Sequence, residues 1–467
     1  MLFPTLDFAL FFVVVFAISW LIYRRDNARH VFLLAASYFF YSYWDWRFSS
    51  MMFLASCTAW AAGKWLQREQ DEKIRKRIVF GACLILLGNL GFFKYYGFFL
   101  ESLFPILDAI GWGRDALLLQ IVLPIGISFF TFQAISYVVD VYRKEINARS
   151  SLVDLLLYIS FFPQLVAGPI VRASHFLPQL DRTPVLTRRT LTFGLAMCMV
   201  GLFKKMVIAN YLAVDLVDKV FFDPTVYSSF ELLMGVYGYA VQIYCDFSGY
   251  SDIAIGTAAL LGFRFQANFR QPYRSASLQE FWRRWHISLS QWLRDYLYRS
   301  LGGNRKGPLI TQRNLFLTMV LGGLWHGAAW TFVIWGFLHG AGLAIERMFR
   351  RGGELSLFVK AAAIIGTFHF VCVGWIFFRA QSLDSALSYF SGLAKLTPDY
   401  SQFSVFPLLL IAGSMAFQFV PKNTTLMTVK FLTAKPFWVT VVAFALALMI
   451  TDLFAPPGTA PFIYFQF

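Results

Sequence analysis

One histidine lies within a long apolar stretch, where a polar ring is costly. His326 belongs to the run LWHGAAW, inside an apolar segment from Leu315 to Leu338. An ionisable side chain at such depth in a membrane span is by default a functional-site hypothesis. Burial favours the neutral imidazole, whose free nitrogen could take a proton from a hydroxyl that then attacks a thioester carbonyl. The alternative is a structural histidine bonded to a helix that approaches closely over Gly323 and Gly327.

A second polar group is strongly basic. Residues 264–313 contain ten Lys and Arg side chains, and their only acids are Glu280 and Asp295. Ser277 and Glu280 have the spacing of a capping box just before a periodic run, so a helix should begin there. The two glycines at 302 and 303 should end it.

On that predicted helix the aromatic residues share one arc, Arg283 and Arg294 face the opposite way, and His286 lies at the edge of the arc. One interpretation is an interfacial helix that anchors to anionic lipid. The other is that Arg283, Arg294 and Arg305 bind a polyanionic donor such as coenzyme A, whose phosphates suit guanidinium groups. The pattern alone leaves both open.

A third polar cluster interrupts an apolar region, with the members Gln242, Asp246, Ser248, Tyr250, Ser251 and Asp252. It predicts either a polar helix break at the interface or a cavity wall that binds an acceptor or orients a base. His339 would lie about 220° round a continuous helix from His326, so the two would not share a face. The remaining histidines are interpreted as structural; they are His30, His175 and His369. The sequence has no HxxxH or HExxH spacing, so it predicts no metal site.

The composition indicates a membrane protein. The chain has 467 residues, of which 58% are hydrophobic and 14% charged, against about 25% charged in soluble domains. Its net charge of +15 is spread over short segments between apolar runs, which favours cytoplasmic loops and anionic lipid over nucleic acid. The five cysteines lie in or beside apolar runs without CxxC spacing, which indicates packing residues.

The apolar segments predict an all-α polytopic protein with about eleven transmembrane helices, plus interfacial and re-entrant helices. The basic loops 24–30, 66–77 and 143–150 should be cytoplasmic and the loop 93–116, with Arg114, outside, so the N-terminus should also lie outside. Irregular backbone is expected near Pro163 and Gly168 and again at Lys204 and Lys205, which points to a polar cavity. With no repeat or soluble segment, residues 1–467 should form a single membrane domain.

Several motifs resemble those of the membrane-bound O-acyltransferases. They are QIYCDFSGYSDIAIG, NFRQPYRSASLQEFWRRWHISLSQWLRDYLY, LGGNRKG and LGGLWHGAAWTFVIWG, with further similarity from ASYFFYSYW to GWIFFRA. Within the family they look most like the membrane subunits that acetylate alginate and their relatives in cellulose acetylation. The teichoic-acid D-alanyl branch is less similar at GFRFQANFRQPYRS and LGGNRKG.

The resemblance implies that His326 is catalytic, with His286 as a second implicated position. It implies tilted helices around a central funnel, a motif-bearing core at about 117–345, and acetyl-CoA entering from the cytoplasm. It also implies a multi-pass protein of the bacterial inner membrane, within an exopolysaccharide biosynthesis complex, that hands acetyl groups to a periplasmic acetyltransferase. The rival interpretation is a transporter, export channel or scaffold, although a channel would show inverted repeats and none is found.

Overall fold

The chain folds into helices. The computed structural model describes residues 1, 3–111, 121–166, 168–349, 356–421, 423–456, 458 and 462–463, and these contain no strand. They divide into two compact units, residues 1–185 and 186–467. The all-helical class predicted from the apolar segments is confirmed.

The first unit holds eight α-helices among its described residues. They are α1 (Leu6–Leu21), α2 (Asp26–Asp45), α3 (Ser49–Arg68), α4 (Glu72–Ala109), α5 (Ile127–Tyr142), α6 (Leu152–Ser160), α7 (Phe162–Leu165) and α8 (Ala173–Leu180), with a 3₁₀ turn at Trp46–Phe48. The predicted break near Pro163 is confirmed, because α6 ends at Ser160 and Pro163 occupies the first turn of α7.

The predicted loop 93–116 is wrong over most of its length. Helix α4 continues for 38 residues to Ala109 and passes through Pro105 without ending. Residues 92–104 remain rich in Phe and Tyr, which pack along the helix, and the single Gly97 is too weak a breaker to stop it. Arg114 lies outside the described residues.

Polar contacts in the first unit link helices that are distant in sequence. His30 of α2 donates from Nδ1 to the Asp154 carboxylate of α6 at 2.9 Å. Arg149 donates to the same carboxylate at 2.8 Å and to Asp181 beyond α8. Although burial opposes ionisation, these hydrogen bonds lower the pKa of Asp154, so the carboxylate stays charged.

The second unit contains the remaining helices. They are α9 (Arg188–Leu202), α10 (Asn210–Leu212), α11 (Asp218–Phe222), α12 (Ser229–Leu260), α13 (Leu278–Arg284), α14 (Ile287–Trp292), α15 (Pro308–His326), α16 (Trp330–Phe349), α17 (Leu357–Arg379), α18 (Leu383–Ala394), α19 (Phe406–Phe417), α20 (Thr424–Ala434) and α21 (Phe437–Phe454). Wider π-helical turns occur at Phe203–Ala209, Ala213–Val217 and Leu293–Tyr298, and 3₁₀ turns at Pro224–Val226 and Pro272–Arg274.

Four helical stretches of the described residues are long and apolar enough to cross a membrane, namely Glu72–Ala109, Arg188–Phe222, Leu357–Arg379 and Phe437–Phe454. Shorter apolar helices are Leu6–Leu21, Ile127–Tyr142 and Phe406–Phe417. The protein is therefore a helical membrane protein, and the count of about eleven spans stays a prediction.

The polar cluster at 242–252 does not break its helix, contrary to one of its two interpretations. Helix α12 runs unbroken for 32 residues through it. The reason is that both carboxylates have cationic partners on the π-helical turn 203–209. Lys205 Nζ lies 2.6 Å from Asp246 and Lys204 Nζ lies 2.6 Å from Asp252. A buried charge that is paired does not need to reach solvent through a break, and the irregular backbone expected at the two lysines is confirmed.

Helices α15 and α16 form a tight antiparallel hairpin around the motif LWHGAAW. Helix α15 ends at His326, and α16 begins at Trp330. A side chain at Gly323 would overlap the carbonyl oxygen of Phe332, and one at Gly336 would meet the carbonyl of Met319. The close approach over small residues, expected from the glycines, is therefore present.

Candidate active site

The basic aromatic segment begins as predicted and then departs from the prediction. Ser277 caps α13 by accepting a hydrogen bond from the Glu280 amide at 3.1 Å. The continuous helix predicted as far as Gly302 is wrong, since Trp285 is extended and His286 adopts the left-handed conformation with φ of 40°. The chain turns there and restarts as α14, and the π-helical turn 293–298 follows.

The break at His286 is held by a residue that the sequence argument missed. The Asn268 carbonyl oxygen accepts from the Ile287 amide at 2.9 Å. Its side-chain Oδ1 accepts from both the amide and the hydroxyl of Ser288, at 3.1 and 2.9 Å. Its Nδ2 donates to Ser251 of α12 at 3.3 Å. Asn268 thus replaces the helical hydrogen bonds that the break removes, and it ties the segment to α12.

The Asn268 side chain also determines which ring nitrogen of His286 carries the proton. Because Oδ1 of Asn268 is the acceptor for Ser288, the His286 Nδ1 that lies 3.3 Å from it must donate. The lone pair is then on Nε2, which is buried and has no hydrogen-bond partner among the described residues. His286 lies between two short helices outside the spanning helices, and burial lowers its pKa to about 3. The ring is therefore neutral, with an unprotonated Nε2.

The aromatic arc of the segment is buried in protein. The side chains of Phe281, Trp285, Leu289, Trp292, Leu293 and Tyr296 are all less than 9% exposed. Phe281 stacks on Trp285 with ring centroids 5.6 Å apart, and Trp285 contacts Trp375 of α17 at 5.1 Å. The apolar face is consequently occupied by the second unit itself, which removes the main support for a lipid-anchoring helix.

His326 lies at the end of α15 within a cluster of rings. Its side chain is buried, and its ring centroid lies 5.0 Å from those of Trp325 and Trp335 and 5.2 Å from that of Phe378. Trp325 also contacts His286, at 6.1 Å. The structure therefore brings both predicted catalytic histidines to one cluster, in which each contacts the Trp325 ring.

His339 also belongs to this cluster. On one continuous helix His326 and His339 would not share a face, but the chain reverses between them. Trp335 lies between the two rings, 5.0 Å from His326 and 4.7 Å from His339. The hairpin thus brings together what a straight helix would separate.

A cavity of about 660 Å³ opens next to this cluster. Its lining residues are Gln279, Trp282, Arg283, Ile287, Ser290, Gln291, Arg294, Leu315, Leu343, Glu346 and Arg347. Arg283 and Arg294 from the predicted donor site are both in the lining and both exposed, and Arg347 adds a third guanidinium. Arg305, the third arginine predicted for that site, is exposed in the turn after Gly303 and is not in the lining.

Acidic residues position the cavity wall. Glu346 of α16 accepts from the backbone amides of Leu278 and Gln279 at 2.6 and 3.3 Å, and so fixes the start of α13. Arg294 donates to Asp295 at 2.8 Å, and this bond raises the pKa of its guanidinium. Burial alone would raise the pKa of Glu280, but hydrogen bonds from the Ala276 amide and from Arg284 outweigh this effect and lower the pKa. These hydrogen bonds fix the start of α13 and the position of Arg294 in the cavity wall.

A metal centre is not indicated in the part of the chain that the structure describes, since no group of three or more His, Cys, Asp or Glu side chains there could hold an ion. Both histidines and the arginines are predicted from the sequence, whereas Asn268, Glu346 and the position of Trp335 are not. In the sequence, Asn268 precedes the motif WRRWH, and Glu346 lies seven residues after His339 of the second His-Gly pair. These positions were the only local signals.

The second unit thus combines a buried histidine, His326, with an arginine-lined cavity next to its ring cluster. The chain belongs to the membrane-bound O-acyltransferase family, whose model matches residues 143–386. It is accordingly an enzyme that transfers acyl groups to hydroxyls, and the family match overlaps most of the core predicted at 117–345.

Relatives with known names agree with this class. The chain is 44% identical over 369 residues to a probable alginate O-acetylase of Pseudomonas putida, covering 77% of this chain and 73% of the relative. It is 36% identical to a peptidoglycan O-acetyltransferase of Helicobacter pylori, over 78% and 74% of the two chains. A teichoic acid D-alanyltransferase of Bacillus subtilis is 29% identical, over 55% and 69%. Membership in this family favours the enzyme over the transporter and scaffold interpretations.

Proposed function

We propose that the protein takes acetyl groups from acetyl-CoA and passes them across the membrane for O-acetylation of an exported polysaccharide. The observation that carries the proposal is the cavity lined by Arg283, Arg294 and Arg347, which adjoins the ring cluster of His326. Guanidinium groups match the phosphates of coenzyme A, and the aromatic interior suits the apolar thioester end.

In the proposed reaction His326 acts as general base. The acceptor hydroxyl gives its proton to the imidazole while its oxygen attacks the thioester carbonyl. The carbon–sulfur bond then breaks, and the leaving thiolate recovers the proton from the imidazolium. His286, with its free Nε2, is proposed as the second catalytic histidine, and Asn268 as the residue that positions it.

The polymer and the cellular setting belong to the same proposal. The greater identity to an alginate O-acetylase than to the peptidoglycan and teichoic acid enzymes favours alginate or a similar exported glycan, and cellulose stays a prediction. The protein would lie in the bacterial inner membrane, with about eleven spans forming one domain around a funnel. It would take acetyl-CoA from the cytoplasm and deliver acetyl groups to a periplasmic acetyltransferase in an exopolysaccharide complex.

The proposal is tested with membrane vesicles of defined orientation. Inside-out vesicles that contain the protein and its periplasmic partner are supplied with acetyl-CoA labelled in the acetyl group. Release of free coenzyme A together with label on the enclosed glycan is expected. Right-side-out vesicles given the same donor outside should remain unlabelled. Labelling only in the second orientation would contradict the cytoplasmic donor, and labelling in neither would contradict acetyl-CoA.

The arginine-lined cavity predicts which charges bind the donor. Replacing both Arg283 and Arg294 by Gln should weaken acetyl-CoA binding by about 10- to 100-fold, since each charge-assisted hydrogen bond contributes about 1.5–3 kcal/mol but both arginines are partly hydrated. Affinity is measured by titration of the purified protein in detergent. The amount of membrane-inserted protein should not change.

Two further arginines sharpen this experiment. Arg189 is exposed at the start of α9 and outside the cavity lining, so Arg189→Gln is a control for the loss of one positive charge elsewhere on the protein and should bind normally. The acetyl-CoA affinity of Arg305→Gln decides whether the turn after Gly303 contacts the donor. If the double variant binds acetyl-CoA as tightly as Arg189→Gln does, the cavity is not the donor site.

The charge distribution also predicts the orientation of the first unit. A reporter fused at residue 70, between α3 and α4, should report the cytoplasm because basic residues flank that connection. A reporter at Ile110, just beyond α4, should report the periplasm. Paired alkaline phosphatase and fluorescent protein fusions measure both, and a periplasmic signal at residue 70 would reverse the assignment.

A further inference from the structure

His339 is a fully buried histidine whose polar atoms are not satisfied by the protein. Its side chain is 0% exposed, and neither Nδ1 nor Nε2 has a hydrogen-bond partner among the described residues. Leaving a buried donor or acceptor unpaired costs about 1–3 kcal/mol, so a purely structural position would favour an apolar ring. The proposed reaction, which uses His326 and His286, does not account for His339.

The position of His339 along α16 connects the cavity to the reaction centre. Trp335, His339, Leu343 and Arg347 follow one another at four-residue intervals and so share one helix face. Leu343 and Arg347 line the cavity, whereas Trp335 contacts His326. Twelve residues of helix span about 18 Å, the scale of an extended chain between a phosphate group and a distant reacting carbonyl.

Other polar atoms near this helix face are also buried without a hydrogen-bond partner among the described residues. The indole N–H groups of Trp282 and Trp335 are buried and have no partner among the described residues. Trp282 lines the cavity and lies 5.3 Å from the His339 ring, and Trp335 lies 4.7 Å from it. Two hydrogen-bond donors and an imidazole therefore lie between the arginines and His326 without using their hydrogen bonds.

A glycine of α17 lies beside the imidazole. A Cβ at Gly374 of α17 would lie 3.1 Å from Nε2 of His339 and 3.3 Å from the Trp335 ring. Alanine at this position would crowd the polar edge of both rings. Gly374 thus keeps the Nε2 edge of His339 free of contact with a side chain at that position.

We propose that His339 is a substrate-contacting residue that hydrogen-bonds the amide-bearing arm of the acyl donor between the arginine-lined cavity and His326. Amide carbonyls of such an arm would accept from the indole N–H groups, and an amide N–H or carbonyl would meet the imidazole. The inference rests on the proposed function, because it takes the donor to be a coenzyme A thioester. It assigns to His339 a role in holding the donor's arm and none in proton transfer.

The test compares a ligand that has the arm with one that lacks it. Coenzyme A carries the arm, and 3′-phospho-ADP carries the same phosphates without it. His339→Leu should weaken binding of coenzyme A by at least about tenfold, the equivalent of one lost hydrogen bond of about 1.4 kcal/mol, and leave 3′-phospho-ADP binding unchanged. In turnover the variant should raise KM for acetyl-CoA more than it lowers kcat.

Two more variants keep the result decisive. His339→Gln retains hydrogen-bonding groups and should recover part of the coenzyme A affinity. If His339→Leu does not fold, the ratio of coenzyme A affinity to 3′-phospho-ADP affinity in His339→Gln tests the proposal instead. Gly374→Ala should weaken coenzyme A alone, through crowding. If wild-type protein binds neither ligand, the proposed donor is wrong. If wild-type protein binds both and the variants bind coenzyme A equally well, only the role of His339 is wrong, and its effect is confined to packing.

Discussion

His326→Ala is expected to give a folded, membrane-inserted protein that no longer acetylates the polymer. A histidine that acts as general base contributes about 10² to 10⁴ in rate, and alanine can neither accept the proton nor hydrogen-bond the hydroxyl. The residue ends α15, so its truncation does not remove a turn from the middle of a helix. The measurement is polymer acetyl content per unit of inserted protein.

His369 is the matched control for this experiment. It lies on α17, where its Nε2 is 2.7 Å from the Tyr237 hydroxyl and its Nδ1 is 2.8 Å from the Ile365 carbonyl oxygen. His369→Ala should cost about 1 kcal/mol of stability and lower yield, while the surviving molecules keep their specific activity. If His326→Ala behaves like His369→Ala, the catalytic assignment fails despite the family membership.

Local sequence signals predict the elements of the candidate site but not their mutual arrangement. Ser277 and Glu280 predict the start of α13 correctly, because an N-cap involves only neighbouring backbone amides. The glycines around His326 predict the close helix pair for a similar reason, since their missing side chains are visible in the sequence. The membrane class follows from composition alone.

Long-range partners decided the features that the sequence did not predict. Periodicity makes the segment after Ser277 one helix, but Asn268 offers replacement hydrogen bonds to Ile287 and Ser288, and the helix breaks at His286. Likewise, the cluster around Asp246 suggests a break only while Lys205 is not known to face it. Both outcomes depend on residues far away in the chain, which no local pattern contains.

The reversal of the chain at Gly327 is another feature that the local pattern does not predict. An angle of about 220° between His326 and His339 holds for a straight helix, but the helix ends at His326. Once the chain folds back, Trp335 contacts both rings. Two histidines that a straight helix would separate are thus joined through one indole ring.

The second large effect is expected at His286, and the choice of substitution matters. His286 has a φ of 40°, a conformation in which alanine is strained but asparagine is tolerated. His286→Asn should therefore preserve the break in the helix while removing the free imidazole nitrogen. We expect polymer acetylation per inserted molecule to fall by about 10²-fold or more, with little change in thermal stability.

Asn268 separates a chemical role of His286 from a structural one. In Asn268→Asp the side chain can still accept from His286 Nδ1 and from Ser288, whereas its donation to Ser251 is lost and a buried carboxylate is added. Activity should then fall much less than in His286→Asn. Asn268→Ala removes every side-chain bond, so both stability and activity should fall, because the ring is no longer oriented. If His286→Asn keeps full activity while Asn268→Ala loses it, the break in the helix is what the enzyme requires, and the imidazole at its centre takes no part in the chemistry.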